Sequence, residues 1–252
     1  MNEKLSHPYP DSPTGAISRR SFVGASAAAM ATATAAASAS AAISIRAEMQ
    51  PSIGLPDGAR PRQSLTMAQA AVKAIQPTVV RISREVWDKP AVGLKEHEAM
   101  EVHIRELAAA GFTIVSREPG GHPTAFIVEW SHGKGGPKIG FLPEYDALPG
   151  LGNAAEPELK PAPNGLTDGH GCGHNSLGAG CTGAAIALKA MMLQRNVPGT
   201  LRLYGCGAEE NVGAKIFLAK EGLFDDLDAA LAWHPASVPV TGTFVTNANE
   251  IK

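Results

Sequence analysis

The stretch that most constrains this chain is Gly169-His170-Gly171-Cys172-Gly173-His174-Asn175. A thiol and two imidazoles lie within five positions, separated only by glycine. Glycine lets a backbone bend closely around whatever its neighbours hold. Thiolate and imidazole are the side chains that best suit zinc and its borderline-soft relatives. Cys172 and His174, one residue apart, can reach one metal or two adjacent ones from a tight turn. The alternative for this stretch taken alone is a glycine loop with a buried cysteine, and the rest of the chain weighs against it.

Composition narrows the field. The 252 residues carry 22 Lys+Arg against 24 Asp+Glu, and 44% are hydrophobic, which gives enough length for one or two domains with a sizeable core. A net charge of −2 offers nothing to nucleic acid or to a strongly acidic partner. Three cysteines cannot all pair with one another, and their spacing is not that of a disulfide scaffold. No strongly apolar run reaches the roughly 18 residues of a membrane span.

Residues 1–47 read as an export signal. Ser18-Arg19-Arg20-Ser21-Phe22 is a twin-arginine pair followed by a weakly apolar run of Ala, Ser and Thr from Val23 to Ile45, and Ala39-Ser40-Ala41 fits an A-x-A cleavage site. The alternative is an Ala-rich tail or amphipathic helix. The twin-arginine route exports folded proteins, so a reduced cysteine ligand could take its metal before leaving the cytoplasm. The expected destination is the periplasm or the medium. Residues 48–62 read as a linker, and residues 63–252 as folded domain.

Within that domain, helical patterns cover Thr78–Trp87, with Pro77 at the helix start, and Lys95–Ala110, stopped by Gly111. Strands are expected at Phe112–Val115, Thr124–Trp130, Lys138–Leu142, Thr200–Cys206 and Ala229–Trp233, and further helices at Leu177–Leu193 and Val212–Glu221. The alternation predicts an α/β fold, a mixed and mostly parallel sheet covered by helices. In such sheets chemistry gathers at the carboxyl ends of strands.

Three further clusters fall there. Pro143-Glu144-Tyr145-Asp146 follows a strand, and its two carboxylates, two residues apart on extended chain, point the same way. Either can bind metal or orient a ligand, or the segment is an acidic turn. Glu209-Glu210 suits a division of labour, one glutamate on a metal and the other moving a proton from activated water, or else the pair stabilises the start of the next helix. His234, beside Pro235, closes the last strand. Together Cys172, His174, Glu210 and His234 offer S, N, O and N donors.

The order GFLPEYDALPGLG, GHGCGHNSLGAG and GCGAEENVGAKIFLAKEGLFDDLDAALAWHP resembles the metal-dependent aminoacylase and carboxypeptidase family. The subgroup is that of the p-aminobenzoyl-glutamate hydrolases, with hippurate and indole-acetyl-amino-acid hydrolases as relatives. The resemblance runs from about Thr78 to Lys252. It implies a zinc-exopeptidase-like catalytic domain and amide hydrolysis of N-acyl amino acids, aroyl-glutamates among them, by two divalent ions, zinc or manganese. Cys172, His174, Glu210 and His234 are implied as ligands and Glu209 as general base. His170 matches a position that is not usually a ligand, Glu144 stands where distant members carry a metal-binding histidine, and Asp146 matches a supporting aspartate. Family members continue through an inserted lid or dimerisation domain to one more histidine. The resemblance therefore implies that 63–252 is the N-terminal portion of a truncated catalytic domain, dimeric when full length. A non-catalytic metal-binding subunit or pseudoenzyme is the competing reading. A phosphate-cradling role for Gly169–Gly180 fits poorly, because the loop has no lysine and lacks the G-x-x-x-x-G-K-[ST] spacing. Cys181 and Cys206, in apolar surroundings, are expected to pack in the core.

Overall fold

A computed structural model describes residues 62–163 and 165–236. The expected signal segment and the linker up to residue 61 lie outside the described residues. The elements run α1 (Arg62–Trp87), α2 (His97–Ala109), β1 (Thr113–Arg117), a 3-10 turn (Pro119–Gly121), β2 (Phe126–His132), β3 (Lys138–Phe141), α3 (His174–Arg195), β4 (Gly199–Gly205), α4 (Ala214–Lys220) and β5 (Ala229–Leu231).

The five strands form one sheet in the order β1-β2-β4-β3-β5. The pairs β1–β2 and β2–β4 are antiparallel, while β3–β4 and β3–β5 are parallel. The sheet is thus mixed as expected, but parallel pairing does not predominate: it is confined to the β4-β3-β5 half. That half is where helices connect the strands, and a helical crossover is what parallel neighbours require.

Alternation along the strands builds two cores. Phe126 and Val128 of β2, with Leu201 and Leu203 of β4, face a layer made of α1, α2 and α3. Ile127, Tyr204 and Cys206 face the opposite side, where Ala214 and Leu218 of α4 cover them. The period of two along each strand therefore feeds a three-layer sandwich.

Helix α1 departs from the expectation at its start. It begins at Arg62 and runs through Pro77, which lies inside the helix rather than at its first turn. A proline there removes one backbone donor, so the carbonyl of Lys73 loses its helical partner. Pro77 and Lys73 are both exposed, which leaves that carbonyl to water. Ile82 and Val86 on the other face are buried in the core.

Helix α3 is long and apolar enough to cross a membrane by length and composition, yet half of that stretch is buried within the fold. It packs along α1 and over the sheet as a core helix. Its glycines set how close it comes. A Cβ on Gly178 would lie 2.4 Å from the Glu144 carbonyl oxygen, and one on Gly183 would lie 2.3 Å from Val79 Cγ2. Across this interface His103 of α2 is fully buried, its Nδ1 2.9 Å from Thr182 Oγ1. Burial lowers the His103 pKa to about 3.

Candidate metal centre

Each cluster singled out in the sequence reaches one place, beyond the carboxyl ends of the parallel strands. Glu144, Tyr145 and Asp146 follow β3, and an isolated parallel bridge ties Glu144 to Cys206 just past β4. The alternation of extended chain sends Tyr145 inward, where it is fully buried and its hydroxyl donates to the Thr124 carbonyl. Glu144 and Asp146 therefore share the other side. Cys172 sits in the turn that leads into α3, and His174 is the first residue of that helix. Gly173 between them has φ of 78°, and a Cβ there would also meet Pro235 Cγ at 2.6 Å, so the turn needs glycine twice over.

Asp146 is the hub. Its Oδ1 lies 2.8 Å from His174 Nδ1, and its Oδ2 accepts the Glu210 N–H at 2.9 Å. One buried carboxylate thus joins the Cys172–His174 turn to the Glu209–Glu210 loop. Nδ1 donating to a carboxylate leaves Nε2 as the free nitrogen, the arrangement that orients metal-binding histidines.

His174 Nε2 is buried and has no hydrogen-bond partner among the described residues. Acidic oxygens surround it: Glu144 Oε2 at 3.1 Å, Glu209 Oε2 at 4.0 Å and Glu210 Oε1 at 4.0 Å. Burial opposes a charge on this ring, but the bond to Asp146 and the charges of Asp146, Glu144 and Glu210 outweigh it and raise the His174 pKa. A buried nitrogen facing three carboxylates is a place for positive charge, either a proton on the ring or a metal ion. Among the described residues, two groups offer one ligand atom per residue, all within 4.8 Å of one another: Cys172, His174 and His234, and Glu144, His174 and Glu209. Both share His174.

The first group is built for a soft divalent ion. Cys172 Sγ lies 3.1 Å from His234 Nε2, and His234 Nδ1 lies 2.9 Å from the Pro235 carbonyl oxygen, which turns the Nε2 lone pair toward the sulfur. The His174 and His234 rings meet edge to face with centroids 5.7 Å apart. Trp233 Nε1 donates to the Leu177 carbonyl at 3.1 Å and holds the end of β5 against α3. Burial, then the hydrogen bond and charge of Glu210 and the charges of Glu209 and Glu144, push the Cys172 thiol up to about 12. Those carboxylates make the thiolate costly without a cation, and a divalent ion reverses that balance by deprotonating a coordinating thiol. A thiolate, two imidazoles and neighbouring carboxylates together fit divalent metal ions.

The glutamate pair does not stabilise a helix start. Helix α4 begins at Ala214, behind Gly213, and has no acid in its first turn. Glu209 and Glu210 stand in the turn ahead of it, next to Ala208, whose φ of 51° is left-handed for a residue other than glycine. Their carboxylates are equidistant from His174 Nε2 but differ in surroundings. Glu210 is 24% exposed and bonded toward Cys172, whereas Glu209 is 40% exposed. Burial, then the charge of Glu144, raises the Glu209 pKa.

His170 stays out of the cluster, with Nε2 3.0 Å from the Val86 carbonyl of α1. Two residues of the neighbourhood were not foreseen from sequence. Lys215 of α4 binds Glu144 Oε1. Glu96, fully buried, accepts the Thr124 hydroxyl at 2.6 Å and the Leu94 N–H at 3.1 Å, and burial raises its pKa. Neither carried a motif. The one available signal for Lys215 was a cation where a helix start was expected, a place the helix dipole disfavours.

Known proteins share sequence and fold with part of this chain. Residues 140–249 match peptidase family M20/M25/M40. The chain is 44% identical over 169 residues to a subunit of the p-aminobenzoyl-glutamate hydrolase of Escherichia coli, covering 66% of this chain and 34% of that one. It is 33% identical over 170 residues to human Xaa-Arg dipeptidase, covering 62% and 35%. It thus spans about a third of the length of these curated relatives. Among solved structures, a dinuclear metal-binding M20 peptidase from Bacillus subtilis superposes with a TM-score of 0.53 at 25% identity, covering 67% of this chain and 45% of that one. An aminobenzoyl-glutamate utilization protein from Klebsiella pneumoniae shares the fold, with a TM-score of 0.50 at 16% identity over 68% of this chain and 46% of that one. Over residues 140–249, the stretch that holds Glu144, Asp146, Cys172, His174, Glu209, Glu210 and His234, the chain is similar to peptidase family M20/M25/M40.

Proposed function

We propose that the protein hydrolyses the amide bond of N-acyl amino acids, with aroyl-glutamates of the p-aminobenzoyl-glutamate kind as its substrate class. The observation that carries this reading is the buried, unpartnered His174 Nε2 facing Glu144, Glu209 and Glu210, with Cys172 and His234 alongside. Cys172, His174, Glu210 and His234 would hold two divalent ions, zinc or manganese, with Glu144 beside them. Bound there, such ions supply Lewis acidity toward a scissile carbonyl and an easily deprotonated water.

The chain's own residues do the rest. Asp146 holds His174 in the tautomer that presents Nε2. Glu209, the more exposed glutamate, takes the proton from the attacking water at its carboxylate and returns it to the leaving amine. Its raised pKa brings it closer to the range in which a general base can both accept and release a proton.

Activity, substrate and a homodimeric or heterodimeric state are proposed for the whole protein, since the chain covers 34% of the first relative. Export by the twin-arginine route, to the periplasm or beyond, is proposed on Arg19-Arg20 and the Ala-rich run after them.

The test is Glu209→Gln in the full-length protein, assayed on p-aminobenzoyl-glutamate and, for contrast, an Xaa-Arg dipeptide. The expected result is a fall in kcat of about 10²- to 10⁴-fold with metal content unchanged. Retained turnover with metal bound removes the base assignment. Metal binding in the wild type without turnover of any acyl amino acid leaves a non-catalytic metal-binding role instead.

A further inference from the structure

The Glu144 carboxylate is 9% exposed, and its two oxygens have different partners. Oε1 holds the Lys215 ammonium, while Oε2 lies 3.1 Å from His174 Nε2. The backbone of Glu144 is already fixed by its bridge to Cys206, so rotation of the side chain is the freedom left to it. Lys215 is the second residue of α4. A cation in the first turn faces the positive end of the helix dipole, so the helix gives no reason for a lysine there. The side chain nevertheless turns inward and is 35% exposed. Among the described residues, it is the only Lys or Arg that contacts Glu144, Asp146, Glu209 or Glu210.

We infer that Lys215 is a positioning residue, which holds Glu144 by Oε1 so that Oε2 alone is presented to the divalent-cation site. The inference rests on the metal-centre reading above. It makes Glu144 a one-oxygen donor of fixed direction and prevents it from chelating an ion with both oxygens.

Charge and geometry predict opposite signs for the loss of Lys215. Removing a cation from an acidic site tightens divalent binding by electrostatics alone. Releasing a carboxylate from its orienting partner weakens it, by about 10- to 100-fold for supporting contacts of this kind. The experiment is Zn²⁺ affinity of the full chain by competition with a chromophoric chelator, which needs no turnover. Lys215→Met is expected to bind Zn²⁺ at least about tenfold more weakly, and Lys215→Arg to stay within about threefold of the wild type. In Glu144→Gln, adding Lys215→Met is expected to cost nothing further, because the two act as one unit. If Lys215→Met does not fold, Lys215→Gln takes its place in the same cycle. Unchanged or tighter binding by the neutral variant, or additive losses in the double variant, overturns the inference while the metal centre stands. A wild-type chain that binds no Zn²⁺ overturns both.

Discussion

Asp146 carries more of the site than any single ligand, because both of its oxygens are committed to other loops. Oδ1 fixes the His174 ring and Oδ2 fixes the backbone of Glu210, so its removal loosens two donors at once. We expect Asp146→Ala to lower divalent-metal affinity by about 10- to 100-fold, measured by chelator competition, with a cost in stability beside it. Wild-type affinity in a folded Asp146→Ala variant would contradict the shared role. Cys172, His174, Glu209, Glu210 and His234 were legible in the sequence because each stands at a strand end or in a glycine turn with its own chemistry. Asp146 was legible as a supporting group, though not as the link between two loops. Lys215 was not, since a helical lysine carries no motif and only the packing of α4 shows where its ammonium lands.

Elements matter through how closely they approach. Helix α3 delivers His174 at its first residue and packs tightly because Gly178 and Gly183 leave room for Glu144 and Val79. The cost of that packing is a neutral histidine sealed between α2 and α3. His103 has its pKa lowered to about 3 by burial, while the unfolded chain restores it to about 6.5. Between those values the unfolded state binds the extra proton, so this contribution to stability is complete above about pH 6.5 and shrinks as pH falls toward 3. At pH 5 the loss from this one group is about 2 kcal/mol. Thermal unfolding of His103→Gln should therefore show a shallower decline in Tm between pH 7 and pH 5 than the wild type. Parallel curves would place the acid sensitivity elsewhere. The order and type of these elements were legible through their hydrophobic periods, but their ends were not. The expected start of α1 failed because Pro77 read as a boundary, and an exposed turn tolerates proline when water can take the freed carbonyl. The expected predominance of parallel pairing failed because β2 inserts antiparallel beside β4, a long-range choice that no local pattern encodes.

For the molecule as a whole, the sheet acts as a platform whose parallel half gathers donors from β3, β4, β5 and the turn before α3. Strand order, rather than proximity in sequence, brings His234 within 3.1 Å of Cys172 across 62 residues. That convergence is the central claim, and metal-edge X-ray absorption on the zinc-loaded chain tests it most directly. The expected spectrum has a zinc–sulfur shell at about 2.3 Å alongside nitrogen and oxygen at about 2.0–2.2 Å, with the sulfur shell lost in Cys172→Ser and retained in Glu209→Gln. Zinc bound with only nitrogen and oxygen neighbours, and a spectrum unchanged by Cys172→Ser, would contradict it.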